Sequence, residues 1–446
     1  MTADPIRWAW AAAAVLLWLA LIGLIARRRG RRTGDATPAA PDATLVVFAS
    51  QTGFAEELAR MTADALNAGG ITTALISLGD LTAERLAAAS RALFLVSTTG
   101  EGDAPDSAVA FLRRMTTLDL SELAYGVLAF GDRSYSHFCA FGRALDDWLR
   151  TNHARPLFDR VEVDNGEAGA IRQWQHQLNR ITGRTDAPDW ASPAYAPWRL
   201  IARERLNGQG SPGEGLWRIA LEPFGDLPDW RAGDIAEIGV PSAPGQPPHA
   251  HREYSVASLP ADERLELIVR LMRGPDGAPG LASGWLTEAC EIGATVDLRI
   301  RSNSAFHGPE DSPPMILIGA GSGLAGLHAH IKERQAAGRG ANWLILGERD
   351  PDHDRILTDE LERWRDGGVL ARLDRVFSRG AGGRYVQDHL RDEANLVRDW
   401  VARGAAVHVC GAVAMGVGVH EALGEILGVE SLDDLTARGR YRRDVY

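Results

Sequence analysis

From Thr44 to about Ile181, short apolar runs alternate with amphipathic stretches. The runs "TLVVFAS", "TTALISL", "ALFLVSTT", "YGVLAFGD" and "RVEVD" read as strands, and "AEELARMTADALNAGG" between the first two carries its apolar positions at helical spacing. Such alternation predicts parallel strands joined by crossover helices, a doubly wound α/β sheet of the flavodoxin-like kind. Ligands of such sheets bind beyond the carboxyl ends of the strands. After Tyr195 the pattern changes. The segments "WRLIARERLN", "LWRIALEP", "DIAEIGVP", "RLELIVRLM" and "ATVDLRI" succeed one another without intervening helices, which predicts a small antiparallel β-barrel. From Met315 the α/β pattern returns through "MILIGAGSGLAGLHAHIKER", "WLILGERD" and "AAVHVCGAV".

Breaks in composition divide the chain. The Pro- and Ala-rich "APDWASPAY" marks a linker, and so does "TGDATPAAPD" near the start. The expected domains are 44–183, 198–308 and 309–446, with linkers at 33–43 and 184–197. A chain of 446 residues has room for several such domains. Ahead of them Trp8 to Ala26 is uncharged and is followed by "RRRGRR". Its length suits one membrane crossing, and the arginines place the rest of the chain in the cytoplasm. Residues 1–32 are therefore expected to be a transmembrane anchor with a basic flank, making a single-pass membrane protein with its catalytic domains in the cytoplasm. The net charge of −11 argues against nucleic acid as a partner. Cys139, Cys290 and Cys410 lie too far apart for a zinc motif, so no metal is expected.

Three strand ends carry unusual loops. "SQTGFAEE", Ser50 to Glu57, runs straight into a helix and offers backbone N–H groups and a helix terminus to a phosphate. "STTGEGDAPDSA" and "GDRSYSHFCAFG" add glycines for close approach and Tyr135 for stacking on a flat ligand. Each alone reads as an ordinary tight turn; the three at successive strand ends point to one ligand. "HREYSVAS" reads either as one alternating strand or as a cation, a ring and a hydroxyl set out for a second flat ligand. A lone Gly-x-Gly-x-x-Gly is weak, but here it comes after a strand and opens a helix.

These loops resemble those of the diflavin reductases, with the sulfite reductase flavoprotein branch nearest and the NADPH-hemoprotein reductases a second likeness. By that resemblance Ser50, Gln51, Thr52 and Gly53 hold the phosphate of FMN. Thr98, Thr99, Gly100, Glu101 and Gly102 pass one face of its ring, and Tyr135, in a loop with Asp132 and Phe138, covers the other. Arg252, Tyr254 and Ser255 match the Arg-x-Tyr-Ser signature of FAD domains, and Gly280, Leu281, Ala282 and Ser283 match its second pyrophosphate loop. Gly321, Ser322 and Gly323 are expected to take the NADPH pyrophosphate, and Ser378, Arg379, Arg384, Tyr385 and Gln387 its 2′-phosphate. Ser255, Cys410 and Asp444 match the family's catalytic hydride-transfer group, with Tyr446 over the FAD ring. Gly326 and Ala412 stand where relatives have a proline and an acid, and no helical connecting domain precedes the FAD signature. The resemblance implies electron flow from NADPH to FAD to FMN and on to a haem-protein acceptor, either sulfite reductase haemoprotein or a membrane haem protein. An acidic rim of Glu101, Asp103 and Asp106 would face that acceptor. A flavin-binding scaffold without turnover is the alternative of another class.

Overall fold

The computed structural model describes residues 43–446 except 115–116, 134, 185–189, 191–193, 243–248, 250, 275 and 381. Within Thr44–Tyr446, one compact unit, three sheets succeed one another in chain order.

The first sheet holds β1 (Thr44–Ala49), β2 (Thr73–Ser77), β3 (Arg91–Ser97), β4 (Ala124–Gly131), β5 (Arg155–Pro156) and β6 (Val161–Asp164). Its order is β2-β1-β3-β4-β5, with β6 also paired to β4, and every pairing is parallel. The apolar runs of β1 and β3 are central because helices cover both faces. Phe54–Ala68 and Ala168–Thr182 pack on one face through Leu58, Leu66, Trp174 and Leu178. Ala140–Thr151 packs on the other through Phe141, Leu145 and Leu149. Two-residue β5 carries too short a pattern to be read from sequence.

The second sheet is antiparallel: β7 (Ala196–Arg205), β8 (Leu216–Pro223), β9 (Ile235–Gly239), β10 (Arg252–Ser255), β11 (Leu265–Arg270) and β12 (Thr295–Arg301), in the order β10-β9-β12-β7-β8-β11. A bridge between Val256 and Leu267 joins its two edges. Between β11 and β12 the chain is not a plain turn. It winds through a helical turn at Leu281–Gly284 and a π-helical one at Trp285–Ala289, because Gly280, Ser283 and Gly284 are small enough to coil tightly against Met272 and Pro279.

The third sheet is parallel again: β13 (Met315–Ala320), β14 (Asn342–Glu348), β15 (Arg372–Phe377), β16 (Ala406–Gly411) and β17 (Tyr441–Val445), ordered β15-β14-β13-β16-β17. The strand order reverses between β13 and β16, where a crevice for ligands opens in sheets of this kind. β14 and β16 are buried throughout.

The expectation of a membrane-anchored chain is corrected. Among the described residues no helix is long and apolar enough to cross a membrane. The longest of them run 15 residues and are built to cover sheets, short of the ~20 apolar residues a span needs. The Trp8–Ala26 stretch lies outside the described residues, as do most of both expected linkers. The single-pass localisation rested on that stretch alone and is withdrawn with it.

Candidate functional site

Two cavities open at the strand ends. The smaller, about 260 Å³, lies over the first sheet and brings together Ser50, Thr52, Thr98, Gly100, Asp132, Tyr135 and Phe138 in its lining. Gly53 has φ +87° and stands directly before the Phe54–Ala68 helix, its N–H donating to the Ser50 hydroxyl at 2.9 Å. A Cβ on Gly53 would collide with the Ser302 carbonyl, so both conformation and space demand glycine. The Thr98 hydroxyl, in that lining, is buried without a hydrogen-bond partner among the described residues. A buried hydroxyl of that kind calls for a ligand with polar edges, and a flavin fits it.

Gln51, Gly53, Thr99, Glu101 and Gly102, predicted for the same ligand, stand apart from that cavity's lining. Gln51 turns aside, accepting from the Asp106 N–H at 3.1 Å and donating to the Arg443 carbonyl. Thr99 and Gly102 close the turn, with the Gly102 N–H donating to the Thr99 carbonyl at 3.2 Å. Glu101 accepts from the Ser136 N–H at 3.1 Å and from its hydroxyl. Asp106 is held by the Arg443 guanidinium, so the expected acidic rim narrows to Glu101 and Asp103.

His251 and Glu253, which sequence reading did not single out, enter the same cavity from the second sheet. Asn165 and Gly166 also line it and were not predicted; the Asn-Gly after "VEVD" is a turn signal that could have pointed to them. Behind them Arg299 donates to Glu237 at 2.7 Å and pairs with Glu57, while Arg301 donates to Glu237 at 2.5 Å and reaches Glu253 and the Thr52 carbonyl. Glu237, His251 and Glu253 have the spacing of a cation site. The two guanidiniums on Glu237 already balance its charge.

The larger cavity, about 1050 Å³, lies between the second and third sheets. Arg252, Tyr254, Ser255, Ser283, Gly321, Ser322, Ser378, Arg384, Tyr385, Gln387 and Tyr446 all line it. Ser283 accepts from the Met272 N–H at 3.0 Å, and Gly280, Leu281 and Ala282 form the turn that carries it. Gly321 has φ +54°. Gly323 has no room for a side chain, because a Cβ would strike the Cys410 carbonyl. This brings the start of the Leu324–Ala336 helix against the end of β16 at the reversal point of the sheet, a bare cradle that a dinucleotide phosphate fits. Arg384 is paired with Asp392, whereas Arg379 is exposed and makes no ion pair among the described residues. Arg270, Glu348 and Arg349 also line this cavity and were not predicted. Burial pushes the Glu348 carboxyl up to about 8 despite Arg375 at 3.1 Å.

At the inner wall Ser255, Cys410 and Asp444 meet. Sheet register sets Cys410 beside Asp444, and β10 brings Ser255 from the other sheet. The Ser255 hydroxyl donates to Asp444 at 2.7 Å; Cys410 Sγ lies 3.6 Å from the same carboxylate oxygen and 4.0 Å from Ser255 Oγ. Burial raises Asp444 above the ordinary carboxylate range, partly offset by the Ser255 and Cys410 hydrogen bonds. Burial, then the Asp444 charge, push the Cys410 thiol far up, so it is a neutral thiol and not a nucleophile. Tyr446 stands in front, 54% exposed, with its hydroxyl 3.5 Å from Ser322 Oγ.

A flavodoxin-type sheet followed by an antiparallel sheet and a nucleotide-type parallel sheet, each pair enclosing a cavity, defines a class of two-flavin reductases. The flavodoxin family model matches residues 46–174. Over nearly its whole described length the chain is similar to proteins named sulfite reductase [NADPH] flavoprotein alpha-component. That of Vibrio cholerae serotype O1 is 26% identical, covering 93% of this chain and 89% of the relative. The protein of Neisseria meningitidis serogroup B is 28% identical, covering 92% and 91%, and that of serogroup C is 27% identical, covering 99% and 96%. The chain is thus similar, over nine-tenths of its length, to flavoproteins of the diflavin reductase kind. The Vibrio cholerae alignment runs over 548 positions against the 446 residues of this chain, so the relative carries segments that are missing here.

Proposed function

We propose that this chain is an NADPH-dependent flavoprotein oxidoreductase of the sulfite reductase flavoprotein kind, using FMN, FAD and NADPH. The observation that carries the reading is the Ser255–Cys410–Asp444 cluster at the inner wall of the larger cavity, one strand away from the smaller cavity. The domains are taken as 44–183 for FMN, 198–308 for FAD and 309–446 for the nucleotide. When bound, the flavins supply the conversion of a hydride pair into single electrons.

The residues of the chain bind and orient. The Ser50–Gly53 turn, Thr98 and Tyr135 hold the first flavin, and Arg252, Tyr254 and the 280–283 turn hold the second. Asp444 fixes the Ser255 hydroxyl and sets negative charge beside the point where a nicotinamide ring turns cationic as it gives up hydride. Tyr446, half exposed, stands where that ring must lie and has to leave for the reacting atoms to approach within about 3.5 Å. The acceptor in this reading is a haem protein, sulfite reductase haemoprotein by likeness. Glu101 and Asp103 at the rim would steer its basic face.

Extraction of the purified protein should yield FMN and FAD in equal amounts, and NADPH should bleach both in a stopped-flow cuvette. FAD alone would remove the relay, and flavins that stay oxidised would favour a scaffold. The choice of NADPH rests on Arg379. A charge-assisted hydrogen bond to phosphate is worth about 1.5 to 3 kcal/mol, so Arg379→Ala should raise KM for NADPH roughly tenfold or more and leave NADH nearly unchanged. Equal losses for both nucleotides would make Arg379 structural.

A further inference from the structure

The Ser50–Gly53 turn is gripped from outside its own sheet. Its Thr52–Gly53 peptide is held at both ends: the Gly53 N–H donates to the Ser50 hydroxyl at 2.9 Å, and the Thr52 carbonyl accepts from the Arg301 guanidinium at the end of β12. In a trans peptide those two groups point opposite ways, so fixing the carbonyl also fixes the direction of the N–H. The Ser302 carbonyl packs against Gly53, and the Ser304 hydroxyl donates to Glu56 in the first turn of the Phe54–Ala68 helix. Gln51 is held from the third sheet. It accepts from the Asp106 N–H at 3.1 Å and donates to the Arg443 carbonyl on β17, while the Arg443 guanidinium holds Asp106 at 3.1 and 3.2 Å. Arg301, Ser302, Ser304 and Arg443 do not line the smaller cavity; they touch the turn and not the ligand space.

The Arg301 side chain is 2% exposed and already has two carboxylates in its own sheet, Glu237 and Glu253. It needs no partner from the first sheet to be neutralised, so its bond to Thr52 can be made and broken without stranding a buried charge. The turn is the side that depends on the contact. Resting on the reading of the smaller cavity as the FMN site, we propose that the ends of β12 and β17 brace the phosphate turn from behind, so that loading of FMN and docking of the first sheet against the other two are linked. Arg301 and Arg443 are positioning residues in this device: they act on the flavin phosphate through Thr52 and Gln51. By thermodynamic reciprocity, whatever factor docking adds to FMN affinity, FMN adds to docking. A chain without FMN therefore holds its first sheet more loosely than a loaded one.

The test titrates FMN, and separately riboflavin, which lacks the phosphate, into the FAD-loaded full chain from which FMN has been dialysed, by calorimetry. Arg301→Gln and Arg443→Gln should each raise Kd for FMN about tenfold and leave Kd for riboflavin and the content of bound FAD unchanged. Arg301→Lys should recover part of the loss, since an ammonium still reaches one carbonyl. Small-angle scattering gives the reciprocal readout: the wild type should become more compact when FMN is added, and Arg301→Gln less so. Unchanged FMN affinity in both glutamine variants, equal weakening of riboflavin, or wild-type dimensions that ignore FMN overturns the linkage while leaving the FMN reading in place. A wild type that binds no FMN overturns that reading and the linkage with it. Arg443→Gln leaves β12 untouched and, like scattering from the wild type, answers the question even if Arg301→Gln fails to fold.

Discussion

Asp444→Asn is expected to slow flavin reduction by NADPH, followed in single turnovers, about a hundredfold, the size found when one preorganised electrostatic partner of a developing charge is removed. The amide keeps the shape of the carboxylate but not its charge, and that charge is what favours a ring turning cationic. Binding should change little, because Asp444 lies behind Ser255 and does not line the cavity. The pH profile provides a second readout. Burial raises the Asp444 pKa, so the wild-type rate should fall as pH drops through a value above the ordinary carboxylate pKa of about 4, since protonation removes the useful charge. In Asp444→Asn that acid limb should disappear. A variant that reduces its flavin at the wild-type rate, or keeps the acid limb, would remove Asp444 from the chemistry.

Gly323→Ala tests the cradle. The backbone at Gly323 is ordinary helix, with φ −60°, so alanine meets no conformational penalty; its obstacles are the Cys410 carbonyl and, at 2.8 Å, the Gly411 Cα. Backbone on both sides cannot rotate away. Either the Leu324–Ala336 helix lifts or the end of β16 retreats, at about 1 to 3 kcal/mol or more for an overpacked core. Cys410 and its contact with Asp444 shift in the second case. The expected result is a thermal midpoint lowered by several degrees and a severe loss of NADP⁺ affinity. Gly326→Ala is the control: its new Cβ would sit 3.2 Å from the Phe306 ring and 3.4 Å from Cys410 Sγ, contacts that side chains can absorb. Equal behaviour of the two variants would mean that the close approach at Gly323 carries no function.

The strands and the three-residue inner cluster were legible because each announces itself locally. Apolar runs such as "ALFLV" mark central strands whatever they contact, and "REYS", "VCG" and "RDVY" are short texts with a family likeness. The arginines were not legible. Arg270, Arg299 and Arg301 sit at alternating positions of β-strands, where a charged residue ordinarily faces water. Only the pairing of β9 with β12 and the packing of the 50–53 turn against Ser302 show that Arg301 faces another part of the chain. Asp106 is a similar case: as a loop acid it reads as solvent-exposed, and its partner Arg443 lies 337 positions away. The anchor reading went the other way, trusting a hydropathy window on residues that the described structure does not include.

β10 is four residues long, and the two cavities lie on either side of it. His251, just ahead of it, lines the smaller cavity, Arg252, Tyr254 and Ser255 line the larger, and Glu253 lines both. Arg252 and Tyr254 share one face of the strand with Glu253 between them on the other, so a slip of one position there would turn the arginine and the ring away from the larger cavity. This stretch therefore answers to two ligands at once. A lineage under selection to retune one flavin has little freedom to alter these positions without disturbing the other, and adaptation of the two sites should be read as correlated change, with independent tuning left to the loops farther out.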